Sequence, residues 1–245
     1  MEENFKANLE DLSKKINVML NEKQISQYYQ YMKLLLEWNE KINLTAITKQ
    51  DEIILKHFVD SMTVLKYLAD YKSIIDVGTG AGFPGIPIAI MNENKDVTLM
   101  DSLNKRIKFL ENIKENLSLK NVNAIHSRAE DLGQDMNNRE KHDVAISRAV
   151  ANLTTLVEYL LPFVKIGGIC ICMKGQDVED EINDSKRAIE LLGGRIKKVD
   201  EFFLPDSDMK RNVVIIEKIK HTNKKYPRKA GLPSKEPLKW FKKTI

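Results

Sequence analysis

Three alternating glycines behind a carboxylate, in Asp76-Val77-Gly78-Thr79-Gly80-Ala81-Gly82-Phe83-Pro84-Gly85, are the residues whose types and spacing point most clearly to chemistry. They follow the apolar pair Ile74-Ile75, a short β-like run. Glycine adopts the positive φ of a tight turn without steric penalty. The loop is therefore expected to face its N–H groups outward and hold a ligand's polar end against bare main chain. A second carboxylate, Asp101, closes the run Val97-Thr98-Leu99-Met100 and lies 23 residues after Gly78. A carboxylate in that position can accept both hydroxyls of a ribose. Together the two signals predict a site for a nucleotide-bearing cofactor.

Spacing separates the candidate cofactors. A dinucleotide fingerprint places its third glycine three residues after the second, to seat a pyrophosphate on a helix N-terminus. Here that position is Phe83. The pattern present, acidic-x-Gly-x-Gly-x-Gly, resembles motif I of the class I methyltransferases, which bind S-adenosylmethionine. An NAD-dependent oxidoreductase that uses the same loop and Asp101 is the alternative the ribose signal leaves open.

The elements that position these residues follow from hydrophobic period. Phe5, Leu9, Leu12, Ile16 and Met19 recur at helical steps, and Ile25, Tyr28, Met32 and Leu35 repeat the pattern in a second helix ending near Trp38-Asn39. A further helix is expected over residues 52–68. From Ile74 short β-rich runs near 74–77, 97–100, 122–126, 143–147 and 168–173 alternate with helical stretches near 86–92, 103–116, 152–161 and 176–192. That alternation predicts an α/β fold with a parallel sheet and right-handed crossovers. The last two strands, near 196–204 and 212–219, have no helix between them and should form an antiparallel hairpin. The division expected is an N-terminal helical cap over 1–70, a catalytic domain over 71–220 and a basic tail over 221–245.

Composition narrows the partners. The 245 residues carry +4 overall, but from Lys218 onward ten Lys or Arg face one acid, so +9 lies at the C-terminal end and −5 on the remainder. Such a patch is an electrostatic footprint for nucleic acid. Its three prolines and glycine, from Pro227 to Pro237, read as too broken for a helix. Cys170 and Cys172 are expected on opposite faces of a strand as small buried hydrophobes, with neither a disulfide nor a metal implied. The start, Met1-Glu2-Glu3-Asn4, lacks a basic n-region and an apolar h-region, and no membrane-length apolar run occurs. A soluble, cytoplasmic protein is expected.

Ligands in open α/β sheets bind beyond the carboxyl ends of the strands. Past the predicted strands lie Asp101-Ser102, Ser127-Arg128-Ala129-Glu130, Ser147-Arg148-Ala149 and Lys174-Gly175. This set holds no nucleophile with a base beside it and no metal cluster, and His57, His126, His142 and His221 read as structural. Methyl transfer from a sulfonium to an exocyclic amine is commonly served by an Asn/Asp-Pro-Pro-aromatic loop after the fourth strand, where this chain has Ser147-Arg148-Ala149. Attack on a pyrimidine C5 needs a cysteine nucleophile, and both cysteines lie inside a strand. Guanine N7 fits better: its lone pair is a free acceptor that needs only alignment with the methyl group. Arg148 is the favoured residue to hydrogen-bond guanine O6 or hold the cofactor, with a surface salt bridge as its plainer reading. Arg128, Lys174 and Arg211 stay open as base contacts.

The segment from Asp76 to Gly85, with Asp101-Ser102-Leu103-Asn104-Lys105-Arg106, Ser127-Arg128-Ala129-Glu130, Ser147-Arg148-Ala149-Val150-Ala151 and Lys225-Tyr226-Pro227-Arg228-Lys229, resembles one family. It is similar to the bacterial small-subunit ribosomal RNA guanine-N7 methyltransferases, also called glucose-inhibited division protein B. Trp38-Asn39-Glu40-Lys41-Ile42-Asn43-Leu44-Thr45 and His57-Phe58-Val59-Asp60-Ser61 look like that family too. The resemblance implies a Rossmann-like class I fold, with a mostly parallel seven-stranded sheet and N-terminal helices. It also implies S-adenosylmethionine-dependent methylation of guanine N7 in 16S ribosomal RNA, on the 30S particle. By motif match Gly78, Gly80 and Phe83 would line the cofactor, Asp101 would take its ribose, and Ala129, Glu130 and Arg148 would complete the pocket; no metal is implied. Retention of the intact glycines and Asp101 speaks against a non-catalytic RNA-binding assembly factor on the same fold.

Overall fold

The helical and β periods separate cleanly along the chain, and the backbone follows them. A computed structural model describes residues 2–148, 151–176 and 178–239; Ala149, Val150 and the end of the basic segment lie outside the described residues. Helix α1 (Glu2–Lys15) buries Phe5, Leu9 and Leu12, and α2 (Glu22–Ile42) buries Ile25, Tyr28, Met32 and Leu35. Asn21 and Gln24 form a reciprocal capping box at the start of α2. The first stripe stops before Met19: α1 ends at Lys15, Asn17 turns the chain at φ 59°, and Met19 is 71% exposed. α2 runs past the expected end near Trp38-Asn39 to Ile42.

The helix expected over 52–68 is divided. α3 (Gln50–Ile53) passes into a π-helical stretch, Ile54–Val59, then α4 (Asp60–Met62) and a 3-10 turn, Leu65–Tyr67. Widened turns of this kind recur at functional sites because they re-aim side chains. Here the stretch delivers His57 and Asp60 to the same arginine, Arg148.

Seven strands form one sheet: β1 (Ser73–Val77), β2 (Asp96–Asp101), β3 (Val122–His126), β4 (His142–Arg148), β5 (Val164–Lys174), β6 (Gly194–Phe203) and β7 (Lys210–Lys218). Their order is β3-β2-β1-β4-β5-β7-β6. The first five pair in parallel, and β7 is antiparallel to both β5 and β6, as the missing crossover helix requires. Helices α5 (Gly85–Met91), α6 (Asn104–Asn116), α8 (Leu153–Leu160) and α9 (Glu179–Leu191) fill the predicted crossovers, and a one-turn α7 (Ala129–Leu132) follows β3. Successive strand residues face opposite sides, so Ile74 joins one apolar cluster with α2 and α5 while Ile75 and Val77 join a second with α8. Cys170 and Cys172, expected on opposite faces, share one, as residues two apart on a strand must. Both are buried in the second cluster as free thiols, and burial pushes the Cys172 thiol up to about 12.

The basic segment after β7 folds back over α7 and α8. Tyr226 is buried in the second cluster, Arg139 donates to the carbonyls of Thr222, Asn223 and Tyr226, and Gln134 donates to those of Lys224 and Pro227. Its prolines do not prevent a final turn, α10 (Leu232–Lys235), because Pro233 sits in the first turn, where no amide is needed. Among the described residues, no helix is long and apolar enough to cross a membrane.

Candidate active site

A cavity of 660 Å³ opens at the carboxyl ends of β1 to β4, and every one of the sequence-predicted site residues Gly78, Gly80, Phe83, Asp101, Ala129, Glu130 and Arg148 lines it. Its floor is the turn after β1. The outward N–H groups expected of that turn are used inside the protein instead. Gly78 and Thr79 donate to the Met100 carbonyl at 2.9 and 3.1 Å, Gly80 donates to Asp101 Oδ2 at 3.0 Å, and Gly82 and Phe83 donate to the Thr79 carbonyl at 2.9 and 3.0 Å. The turn closes on β2, so it offers a ligand close approach rather than a row of donors. Gly80 has φ +62° and open space where a Cβ would stand, so its requirement is conformational. At Gly85 the requirement is steric: a Cβ would meet Leu99 Cδ2 at 2.2 Å and Asp76 Oδ2 at 2.8 Å.

Asp76 explains the contact at Gly85. Its Oδ2 accepts from the Gly85 amide at 2.8 Å, where α5 begins, and from Thr79 Oγ1 at 2.6 Å, while Oδ1 is buried without a partner. Burial pushes its carboxyl up to about 6, against the pull of those two hydrogen bonds. A carboxylate therefore already occupies the helix N-terminus on which a dinucleotide would rest its pyrophosphate. This geometry disfavours the NAD alternative independently of Phe83.

On the β2 side, Asp101 accepts from the Leu103 amide at 2.9 Å, from Gly80 and from Arg106 Nη1 at 3.2 Å. The contacts fix the carboxylate at the cavity wall. Arg106, to which the sequence reading gave no role, thus orients the ribose candidate. Ala129 and Glu130 begin α7, and Glu130 Oε1 accepts from the Gly231 amide at 2.8 Å. Gly231 and Ser234, with Tyr159 of α8, complete this wall, so the basic segment forms part of the cavity.

On the β4 side, Phe83 is the hub of an aromatic and cationic stack. The His57 ring lies parallel to it at 4.4 Å and 14°, Tyr31 stacks at 5.3 Å, and the Arg148 guanidinium stands 5.0 Å from its centroid. Arg148 Nη1 donates to the Lys56 carbonyl at 3.0 Å and to Asp60 Oδ2 at 3.3 Å, and Nη2 lies 3.2 Å from His57 Nδ1. The ion pair that was the plainer reading of Arg148 exists, but it lies inside the fold: Asp60 is 3% exposed and also takes Arg211 Nε at 3.1 Å. Of the other base-contact candidates, Arg211 is held by Asp60 and Lys174 by Glu181 at 2.8 Å, whereas Arg128 lines the cavity with an exposed side chain.

Arg148 also fixes the state of His57. Guanidinium is a donor only, so Nδ1 must present its lone pair, and Nε2 carries the proton that faces Thr45 Oγ1 at 2.9 Å. Burial first, then the charge of Arg148, holds the ring neutral and pushes its pKa down to about 3. Thr45 and His57 both line the cavity. Their signal was present in the N-terminal segments resembling the family, but no local spacing ties them to the glycine turn.

A sheet of this order, with a glycine turn after the first strand and a carboxylate closing the second, defines a Rossmann-like class I methyltransferase. The same fold appears in a SAM-dependent methyltransferase from Aquifex aeolicus, at TM-score 0.51 and 19% identity over 67% of this chain and 93% of that one. It appears too in M. capricolum TrmK in complex with S-adenosyl-homocysteine, at TM-score 0.52 and 18% identity over 66% of this chain and 69% of that one. The chain belongs to the GidB family, rRNA small subunit methyltransferase G, whose family model matches residues 24–213. Ribosomal RNA small subunit methyltransferase G of Clostridium botulinum (strain ATCC 19397 / Type A) is 50% identical over 91% of this chain and 95% of that protein. The Acetivibrio thermocellus protein of the same name is 52% identical over 90% of this chain and 91% of that protein.

Proposed function

We propose that this protein transfers the methyl group of S-adenosylmethionine to N7 of a guanine in 16S ribosomal RNA, acting in the cytoplasm on the 30S subunit. Family membership over residues 24–213 is the observation that carries the reading. The cavity supports it, because Gly78, Gly80, Phe83, Asp101, Ala129, Glu130 and Arg148 all line it. In this reading residues 1–70 cap the methyltransferase domain, 71–220, and the basic charges of 221–245 meet phosphates.

The residues present fit the cofactor. Asp101 would receive the ribose hydroxyls, Gly78 and Gly80 would allow close approach, and Phe83 with Ala129 would supply apolar walls. Glu130 adds negative charge for a cationic ligand. When bound, S-adenosylmethionine supplies a methyl group on a sulfonium. Held by Asp101, Gly78, Gly80, Phe83 and Ala129, it would give that methyl to the lone pair of guanine N7 and keep the carbon–sulfur electron pair. N7 carries no proton, so the protein needs to align the base rather than deprotonate it. Arg148, fixed by Asp60 and the Lys56 carbonyl, would align it with Phe83 and His57 beside it.

An A-form helix hides N7 in a deep, narrow groove, so the target base must be unpaired or splayed out. Arg128 lines the cavity, and it and the exposed Lys224, Lys229 and Lys235 of the basic segment make no ion pair with any described residue, which leaves these cations for phosphate contacts. Nucleoside mass spectrometry of 16S RNA tests the proposal: cells lacking their own enzyme should regain 7-methylguanosine when this chain is expressed, and failure to regain it would refute the assignment.

A further inference from the structure

Thr45 is held in the cavity with a hydrogen-bond valence that is two-thirds used. Its Oγ1 receives the Ile47 amide at 3.0 Å and faces the protonated Nε2 of His57 at 2.9 Å. A hydroxyl has two acceptor positions and one donor. Both acceptor positions are filled, because Arg148 forces His57 to present its proton to Thr45. The one function left to this hydroxyl is to donate, and among the described residues no acceptor takes its proton.

The backbone around Thr45 is fixed as well. Asn39 Oδ1 accepts from the Leu44 amide at 2.7 Å and the Thr45 amide at 2.8 Å, while Asn43 ends α2 in the left-handed region at φ 50°. A loop clamped on two successive amides sets one direction for the side chain. Thr45 is joined through His57 to Arg148 at the end of β4, two strands and so about 10 Å from Asp101 at the end of β2. With the ribose at Asp101, the Thr45 end of the cavity is the end where the acceptor base must stand.

We propose that the Thr45 hydroxyl donates to O6 of the target guanine, orienting the base for attack and selecting guanine over adenine. The proposal rests on the assignment of guanine N7 as the acceptor. Guanine's Hoogsteen edge offers two acceptors, N7 and O6, and the N7 lone pair must stay free for the methyl carbon. O6 is then the atom a lone donor can take. Adenine presents an amino group at that place, which sets donor against donor. Thr45 is a specificity residue in this scheme, and the chain Arg148–His57–Thr45 holds its proton outward.

The test uses 30S subunits reconstituted with 16S RNA carrying either guanine or 2-aminopurine, which lacks O6, at the methylated position. Single-turnover rates are compared at saturating S-adenosylmethionine. The unaltered protein should methylate the 2-aminopurine substrate about ten- to thirtyfold more slowly, the scale of one lost hydrogen bond to a buried donor. Thr45→Val should methylate guanine about ten- to thirtyfold more slowly and lose that factor from its discrimination between the two substrates, with cofactor affinity by calorimetry unchanged. Thr45→Ser, which keeps the hydroxyl, should keep the discrimination. Thr45→Val that discriminates as the unaltered protein does would overturn the inference, as would a loss of cofactor affinity matching the loss of rate. If the unaltered protein forms no 7-methylguanosine in these subunits, the parent assignment falls and this inference with it.

Discussion

The Glu158 carboxylate, wholly buried on α8, is gripped by Arg228 from the C-terminal segment: Nη2 donates to Oε2 at 2.7 Å, and Nε and the Arg228 amide each donate to Oε1 at 2.9 Å. A carboxylate in that position tolerates burial only while it is paired. The segment read from sequence as a charged tail is therefore also an inner wall, tied to α7 by Glu130 and Gly231 and to α8 by Arg228.

Removing the Arg228 side chain should strand the buried charge. Arg228→Met is expected to lower unfolding free energy by about 3–5 kcal/mol, and pairing it with Glu158→Leu should restore much of the loss. Urea unfolding of the single and double variants measures both. An Arg228→Met protein of unchanged stability would show that the clasp contributes nothing.

Deleting the segment outright would remove the buried Tyr226 and Thr222 and strip Glu158 of Arg228, so its electrostatic role calls for charge removal instead. Lys224, Lys229 and Lys235 are exposed and unpaired among the described residues. Changing all three to Gln should weaken RNA binding and flatten the slope of log affinity against log salt by about 2, at about 0.7 per single-strand phosphate contact. Cofactor affinity should not change. A binding series at several salt concentrations decides it, and an unaltered slope would remove these lysines from the RNA interface.

Asp101 and Arg148 stand on opposite sides of the glycine turn and should fail differently. Asp101→Ala removes the ribose acceptor and leaves the Gly80 and Leu103 amides without theirs, so cofactor affinity should drop about a hundredfold. Arg148→Ala should instead cost turnover at saturating cofactor, by tenfold or more, because alignment of the base is lost. Calorimetry with S-adenosylmethionine and steady-state rates separate the two. Equal effects of both changes on cofactor affinity would merge the roles assigned here.

Acid should destabilise the fold through buried histidine. His142 has its Nδ1 3.0 Å from Ser73 Oγ and its Nε2 buried without a partner. Burial, only partly opposed by Asp143, pushes its pKa down from 6.5 to about 4. The unfolded chain binds this proton first, so the contribution is complete above pH 6.5 and is lost as pH falls toward 4. Asp76 acts in the opposite sense, losing stability as pH rises from 3.8 to about 6, so the comparison must be between variants. Relative to the unaltered protein, His142→Gln should gain about 2–3 kcal/mol between pH 7 and pH 4.5. A pH-independent difference in unfolding free energy would contradict it.

Much of this architecture is legible in sequence because each strand carries its own β-rich run and ends in a turn or a charged residue. All seven strands fall within a few residues of expectation, and the seven predicted site residues converge on one cavity. What escapes the sequence is long-range. The π-helical stretch at Ile54–Val59 leaves no period of its own, so the meeting of His57 and Asp60 with Arg148 is invisible until the helix stands beside β4. The turn amides point inward because Met100 and Asp101 on the neighbouring strand take them, a relation between two strands rather than within one loop. The basic segment looks like a tail because charge dominates its composition, while its anchors, Glu158, Arg139 and Gln134, lie far upstream.

The identity of the base that leaves the cavity methylated decides the proposed function. The measurement that tests it most directly incubates the purified protein with tritium-labelled S-adenosylmethionine and undermethylated 30S subunits, then digests the RNA and identifies the labelled nucleoside. Label is expected in 7-methylguanosine from 16S RNA. Label in another nucleoside would keep the fold and the cofactor but contradict the guanine N7 assignment, and no label despite tight cofactor binding would contradict the assignment of the 30S substrate.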